Sequence, residues 1–267
     1  MRILWIFVIS TLLTCSTLTK AENKTLTLGI FPYVSSSKLI THNKNLQKHI
    51  NNTSQYRASL VSANDVLTYI NKLTKYNYDL IFCAPHLARF VEKKYAYQRI
   101  AMTTHHIRGV YLARKDTSIY SAADLKGKKL SMTPATSILH QIVLKQLKKH
   151  DIIPGYNIEL KTAKTHNNAI YDVLNNDSDA AVTGMNLWTN LPLDSKKKLR
   201  QFTKTDAVSG FIVLAKPDID KASIKNIQKL FLSFNKTPAG KAYIFKGFRL
   251  ITDQDMEALD SYASVFE

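Results

Sequence analysis

Small hydroxyl side chains stand at the start of a predicted helix in the second half of the chain. Ala135, Thr136 and Ser137 come between a predicted strand at 129–132 and a predicted helix at 138–150. Unpaired backbone N–H groups at a helix N-terminus carry partial positive charge and point at an anion, and hydroxyls add donors. The same residue types are also ordinary helix N-caps, which need no ligand. The turn is therefore a candidate oxyanion site or a simple cap.

Two loops in the first third of the chain carry further candidates. Tyr33 and Ser35 follow one predicted strand, and Pro85 and His86 follow another. Ligands in open α/β sheets bind beyond the carboxyl ends of the strands, so we expect both loops to face a cleft. Tyr33 could supply an aromatic wall and a hydroxyl. His86 could contact a solute or only begin a helix.

Two more polar residues occupy comparable places later in the chain. His166 precedes a predicted helix and could donate one ring N–H to an anion, although a surface loop histidine is the alternative. Asn186 follows a short predicted strand and could contact the far end of a solute.

The sequence contains no recognised motif for catalysis or metal binding. GxSxG, HExxH, P-loop and CxxC patterns are absent, and the histidines are scattered singly apart from His105 and His106. Cys83 lies in an apolar run, which favours a buried thiol over a reactive one. We expect no enzyme activity, no cofactor and no metal.

The amino terminus has the pattern of a secretory signal. Arg2 precedes an apolar run at 3–13, which is too short to span a bilayer. We favour cleavage after Ala21, giving a signal peptide of residues 1–21. The alternative is a lipid anchor at Cys15, because the preceding residues resemble an imperfect lipobox. Both routes predict an exported protein. A soluble mature chain would keep only Cys83 and could form no internal disulfide.

The chain is strongly basic, with a formal charge of +17. Such a field steers anionic partners toward the protein. Nucleic acid is the obvious rival partner, but the basic residues are spread in short pairs and triplets, and no nucleic-acid-binding motif accompanies them. We therefore expect a small anionic solute and no nucleic acid.

Strand-like and helix-like patterns alternate along the chain, which predicts an α/β fold. Alternating or buried apolar runs predict strands at 25–31, 56–61, 78–83, 107–114, 129–132, 157–161, 180–183 and 211–215. Helical patterns occur at 36–51, 63–75, 85–94, 138–150, 167–175, 224–234, 237–245 and 253–263.

The order of these segments resembles the phosphonate-binding family of ABC-transporter solute-binding proteins. Each motif alone is weak, but their order and spacing are specific. They are LGIFPYVS at 28–35, YDLIFCAPHLARF at 78–90, ARKDTSIYSAADLKGKKLSM at 113–132, ATS at 135–137, THNNAIYDVLNNDSDAAVTG at 165–184, SGFIVLAKPDID at 209–220 and TPAGKAYI at 237–244.

The resemblance implies a two-lobed type II periplasmic-binding fold, each lobe a mixed sheet flanked by helices. Residues 22–110 and 206–267 would form the first lobe and 111–205 the second, with two hinge crossings near 108–112 and 205–212. The turn at 135–137 and His166 would hold the anion, although Ala135 departs from the serine often found there. Family members that bind aminophosphonates hold the amine with acidic side chains. No acidic residue of this sequence can be matched to those positions, so whether the ligand carries an amine stays open.

The implied function is capture of a phosphonate, phosphite or phosphate ester in the periplasm for the permease of an ABC transporter. We expect a monomer. The alternative is a stand-alone sensor subunit that reports a small ligand to a membrane kinase, and an exported enzyme is the less favoured class.

Overall fold

The computed structural model describes residues 24–267, which fold into strands and helices that alternate along the chain. The strands are β1 (Lys24–Ile30), β2 (Tyr56–Val61), β3 (Leu80–Cys83), β4 (Gln98–Thr103), β5 (His106–Ile107), β6 (Gly109–Arg114), β7 (Lys129–Met132), β8 (Glu159–Thr162), β9 (Ala180–Gly184), β10 (Leu199–Lys204), β11 (Val208–Ser209), β12 (Ile212–Ala215) and β13 (Phe248–Arg249).

The helices lie mostly between successive strands. They are α1 (Ser36–Thr53), α2 (Val66–Thr74), α3 (Pro85–Tyr95), α4 (Ile138–Lys148), α5 (His166–Leu174), α6 (Met185–Thr189), α7 (Leu193–Lys198), α8 (Lys221–Phe234), α9 (Pro238–Lys241), α10 (Asp253–Glu257) and α11 (Asp260–Ala263). Short 3₁₀ turns occur at Ala123–Leu125 and Ser264–Phe266.

The first sheet has the strand order β13-β4-β12-β3-β1-β2. β1 pairs in parallel with β2 and β3, whereas β12 and β13 run antiparallel to their neighbours. Every residue of β3 is buried, as its unbroken apolar run requires when helices cover both faces of a sheet.

The second sheet has the order β10-β6-β9-β7-β8. β7 pairs in parallel with β8 and β9, and β6 runs antiparallel to β9 and β10. Each sheet is thus mixed and flanked by helices, which confirms the predicted fold class.

The chain crosses between the sheets twice, once into β6 and once out of β10. The two crossings pair with each other, because β5 and β11 form an antiparallel ladder with Ile107 opposite Val208 and His106 opposite Ser209. The crossings are therefore held side by side as one two-stranded hinge.

Three apolar clusters form the cores of residues 24–267. The largest surrounds the first sheet and includes the fully buried Cys83, and two smaller clusters cover the faces of the second sheet. Ile138, Leu139 and Ile142 of α4 belong to the first-sheet cluster, although α4 follows a strand of the second sheet. The first turns of α4 are thus buried against the other lobe.

Most predicted elements are confirmed to within a few residues, but three differ. The predicted strand at 107–114 is two strands separated at Arg108, where the chain crosses between sheets. The predicted helix at 237–245 ends at Lys241, and that at 253–263 breaks at Ala258 and Leu259. β4, β10, β11 and β13, with the short helices α6 and α7, were not predicted.

The predicted signal peptide, its cleavage site after Ala21 and the alternative anchor at Cys15 lie outside the described residues. Within 24–267, no helix is long and apolar enough to cross a membrane. The lobe boundaries at 110/111 and 205/206 remain a proposal; β6 already begins at Gly109.

Candidate functional site

The loops that carry the first-lobe candidates lie where the strand order of the first sheet reverses. From β1 the chain moves to β2 on one side, and β3 then lies on the other side of β1. Loops that follow the two strands flanking such a switch point enclose a crevice. Tyr33 and Ser35 follow β1, and Pro85 and His86 follow β3. The topology therefore places all four at one crevice.

The second sheet has the same arrangement. β8 and β9 lie on opposite sides of β7, so its switch point is between β7 and β9. The turn at 135–137 follows β7, and Asn186 follows β9. His166 begins α5 after β8, and its carbonyl accepts a hydrogen bond from Thr183 Oγ1 in β9 (3.2 Å). The second-lobe candidates thus gather at a single edge of their sheet.

The N-terminus of α4 has the geometry of a donor-rich turn. The first helical hydrogen bond runs from Gln141 N–H to the Ser137 carbonyl (3.3 Å), so the N–H groups of Ile138, Leu139 and His140 precede the helical ladder. His140 Nδ1 bonds the Thr133 carbonyl (2.7 Å) and fixes the turn against the helix. Ser137 occupies the N-cap position, but its hydroxyl makes no capping hydrogen bond within 24–267.

His86 connects the two sets of loops. Its side chain is fully buried, and Nε2 donates to the Thr136 carbonyl (3.1 Å) across the lobes. Burial lowers the pKa of His86 to about 4, so the ring is neutral at pH 7. Nδ1 is then the acceptor nitrogen, and it has no partner among the described residues.

His166 is a half-buried ring at the first position of α5. Thr165 caps this helix by accepting from Asn168 N–H (3.1 Å). Burial lowers the pKa of His166 to about 4, and its Nδ1 atom has no hydrogen-bond partner in the described part of the chain. A neutral imidazole has one N–H donor to offer, which suits one oxygen of an anion.

Tyr33 faces an aromatic cluster in the first lobe. Its hydroxyl lies 3.0 Å from His42 Nδ1, and its ring centroid is 5.0 Å from that of Phe211 and 5.6 Å from that of Phe245. Burial raises the pKa of Tyr33, so the phenol stays protonated. The hydroxyl is therefore engaged within its own lobe, and the ring is the part available as a wall.

The remaining candidates are placed more simply. Ser35 is exposed, and its hydroxyl lies 3.4 Å from that of Ser37. Pro85 is buried at the first position of α3. Ala135 is exposed and offers only its backbone carbonyl, which Gln141 Nε2 contacts at 2.7 Å. Asn186 is exposed at the start of α6.

Three ring-bearing residues of the cluster that contains Tyr33, and one cation at the first crossing, were not predicted as candidates. His105, Phe211 and Phe245 pack together, with the His105 centroid 6.0 Å from Phe211 and 4.9 Å from Phe245. Arg108 stands between β5 and β6, and its exposed side chain forms no ion pair within 24–267. The sequence signal for these residues was the adjacent pair His105 and His106, because this pair lies where the chain enters β5 at the first crossing.

A small cavity lies in the first lobe. It has a volume of about 160 Å³ between α1 and the end of β2. Its lining, which contains no ionisable side chain, is Ile30, Ser36, Leu39, Ile40, Leu60, Val61, Ser62, Ala63 and Asn64. No group of three or more side chains suited to a metal ion occurs among the described residues.

The protein has two mixed sheets that are joined by paired crossings, and the candidate loops lie at the switch points of both sheets. This is the type II periplasmic-binding fold. The chain belongs to the family described as ABC transporter, phosphonate, periplasmic substrate-binding protein, whose model matches residues 28–256. It is therefore a solute-binding protein of a periplasmic family. No curated protein sequence matches it.

Solved structures share this fold at low identity. PhnD1 from Prochlorococcus marinus, in complex with methylphosphonate, has a TM-score of 0.77 at 14% identity, over 91% of this chain and 98% of that chain. A binding protein component of an ABC phosphonate transporter from Pseudomonas aeruginosa gives 0.74 at 15%, over 89% and 84%. XAC2383 from Xanthomonas citri, bound to ATP, gives 0.73 at 18%, over 91% and 96%.

Proposed function

We propose that this protein captures a small oxyanion between its lobes and delivers it to the membrane permease of an ABC transporter. The solute is a phosphonate, phosphite or phosphate ester. Family membership supports the transport role, and the methylphosphonate in the Prochlorococcus structure supports the ligand class. The observation that carries the ligand class is the Ser137 hydroxyl at the start of α4, which makes no capping hydrogen bond to any described residue and lies beside backbone N–H groups that precede the helical ladder.

The chemistry of this turn matches an oxyanion better than an uncharged solute. The hydroxyls of Thr136 and Ser137 and the first N–H groups of α4 are all donors, and the partial charge at the helix N-terminus favours a negative ligand. His166 adds one neutral N–H. In this proposal the residues only bind the solute, so the protein is not an enzyme and needs no cofactor or metal.

The proposed setting follows from the family and the sequence. The family is periplasmic, and we propose that residues 1–21 direct export, with a lipid anchor at Cys15 as the alternative. The working unit is a monomer whose lobes are residues 22–110 with 206–267, and residues 111–205. Removal of residues 1–21 takes away Arg2 and Lys20 and no acidic residue, so the net charge falls from +17 to +15, and this charge assists capture by attracting anions over long range. No observation favours the sensor subunit over the transport role.

A thermal-shift screen tests the proposal. A ligand that binds only the folded form adds RT ln(1 + [L]/Kd), about 2.7 kcal/mol at 100 times Kd. We expect methylphosphonate, phosphite or a phosphate ester to raise the melting temperature, and glucose and glycine to leave it unchanged. Stabilisation by an uncharged solute, with none from any oxyanion, would contradict the ligand class.

A further inference from the structure

The C-terminal segment, residues 260–266, packs along α3 of the first lobe. Arg89 Nε lies 2.7 Å from Asp260 Oδ1, an ion pair that anchors the start of the segment. At its end, the Phe266 ring centroid lies 5.6 Å from that of Phe90 and 5.0 Å from that of His86. The segment therefore forms one wall around the buried His86 ring.

The same segment contacts α4 of the second lobe. Lys145 Nζ lies 5.1 Å from the ring centroid of Tyr262, a cation–π geometry. One to two turns earlier, Ile138, Leu139 and Ile142 are buried in the apolar cluster of the first lobe. One face of α4 is thus held against the first lobe from its first residue to Lys145.

His86 completes this contact at the turn itself. The Thr136–Ser137 peptide is fixed on both sides, because its carbonyl accepts from His86 Nε2 (3.1 Å) and its N–H donates to the Pro134 carbonyl (2.8 Å). A peptide group is planar, so two such bonds set its orientation. The direction of the neighbouring hydroxyls then depends on a residue of the opposite lobe.

We propose that His86 is a positioning residue, clasped by Phe266, that orients the Thr136–Ser137 turn from the opposite lobe without touching the solute. This inference rests on the proposed function of the turn and assigns His86 a role other than direct solute contact. The bond joins the two lobes, so it adds to the stability of the arrangement described here, which the solute-free protein populates in part and bound solute favours further. Apparent affinity scales with the population of the binding-competent arrangement, so losing the bond weakens binding.

Two substitutions of His86 separate positioning from solute contact. His86→Leu fills the space but removes the donor, and we expect methylphosphonate affinity, measured by calorimetry, to fall about 2- to 10-fold, the worth of one neutral hydrogen bond. His86→Gln places an amide N–H near the former Nε2 position, and we expect affinity within about twofold of the wild type. Equal losses in both variants, or no loss in His86→Leu, would overturn the proposal.

The clasp is also testable without any solute, which separates its failure from failure of the proposed function. In the solute-free protein we expect amide hydrogens of residues 135–140 to exchange faster in His86→Leu than in the wild type, and His86→Gln to restore slow exchange. Phe266→Ala removes the half-buried ring that packs on His86, and we expect faster exchange at the same amides. Tyr156→Ala, at an 83% exposed tyrosine, is the control. Unchanged exchange in both His86→Leu and Phe266→Ala contradicts the clasp, whether or not methylphosphonate binds.

Discussion

Ile107 and Val208 are register partners in the ladder that joins the two crossings between the lobes. Paired crossings restrict relative motion of the lobes to a hinge, because neither segment can move independently of the other. We expect the radius of gyration measured by small-angle scattering to decrease when saturating methylphosphonate is added, and glucose to cause no change. An unchanged radius, with binding shown by calorimetry, would count against hinge closure.

Ser137→Ala distinguishes a ligand donor from a helix cap. A hydrogen bond to a charged group contributes about 1.5 to 3 kcal/mol, so methylphosphonate affinity should fall about 10- to 150-fold. The melting temperature without solute should barely change, because the hydroxyl makes no capping bond in the described chain.

The matched control for Ser137 is a true cap far from the turn. Asp220 accepts from Ser223 N–H (2.9 Å) at the start of α8. Asp220→Ala should lower the free energy of unfolding by about 0.5 to 2 kcal/mol and leave affinity unchanged. If Ser137→Ala behaves like Asp220→Ala in calorimetry and melting, Ser137 is only a cap.

Arg108→Gln tests the contribution of the exposed cation at the first crossing. We expect methylphosphonate affinity to fall about 1.4- to 5-fold, because a single exposed charge pair contributes about 0.2 to 1 kcal/mol. The loss should shrink between low salt and 0.5 M salt, since screening removes such a contribution. The control is Arg57→Gln in β2, an edge strand of the first sheet, and this variant should bind methylphosphonate like the wild type.

Three buried or half-buried histidines predict how stability depends on pH. Burial lowers the pKa of His86, His105 and His166, each to about 4, against about 6.5 in the unfolded chain. Between these values the unfolded chain binds more protons, so the stabilisation is complete above about pH 6.5 and is lost as the pH falls toward 4.

The test of this dependence is melting without solute at pH 7.5 and pH 5. We expect a lower melting temperature at pH 5, and a smaller difference between the two pH values in His105→Gln. His150→Gln, at an exposed histidine, should keep the wild-type difference. A melting temperature that does not fall at pH 5 would contradict the prediction.

Much of the fold follows from local patterns. The apolar run of β3 and the alternating apolar residues of β7 identify strands, and the loops that follow these strands contain candidate site residues. β10 was not predicted because its sequence, LRQFTK, is polar, and it lies at the edge of its sheet, where one side needs no strand partner. Its pairing with β6 reflects tertiary structure rather than its own composition.

The site itself was only partly accessible from the sequence. The turn at 135–137 is a local feature and could be found, but the bond between His86 and Thr136 joins residues 50 positions apart. Likewise, nothing local indicates that the Tyr33 hydroxyl engages His42 or that Phe245 packs on the Tyr33 ring. The contacts of His86 with Thr136 and of Tyr33 with Phe245 depend on how the strands are ordered in the sheets.

The burial of Cys83 makes the protein suited to dye labelling. Its thiol is fully buried, and burial raises its pKa, so little reactive thiolate forms near neutral pH. In a chain that begins at Glu22, Cys83 is the sole native cysteine. New cysteines at the exposed Tyr120 and Leu67, one in each lobe, would therefore take maleimide fluorophores selectively, and energy transfer between them would report lobe separation one molecule at a time.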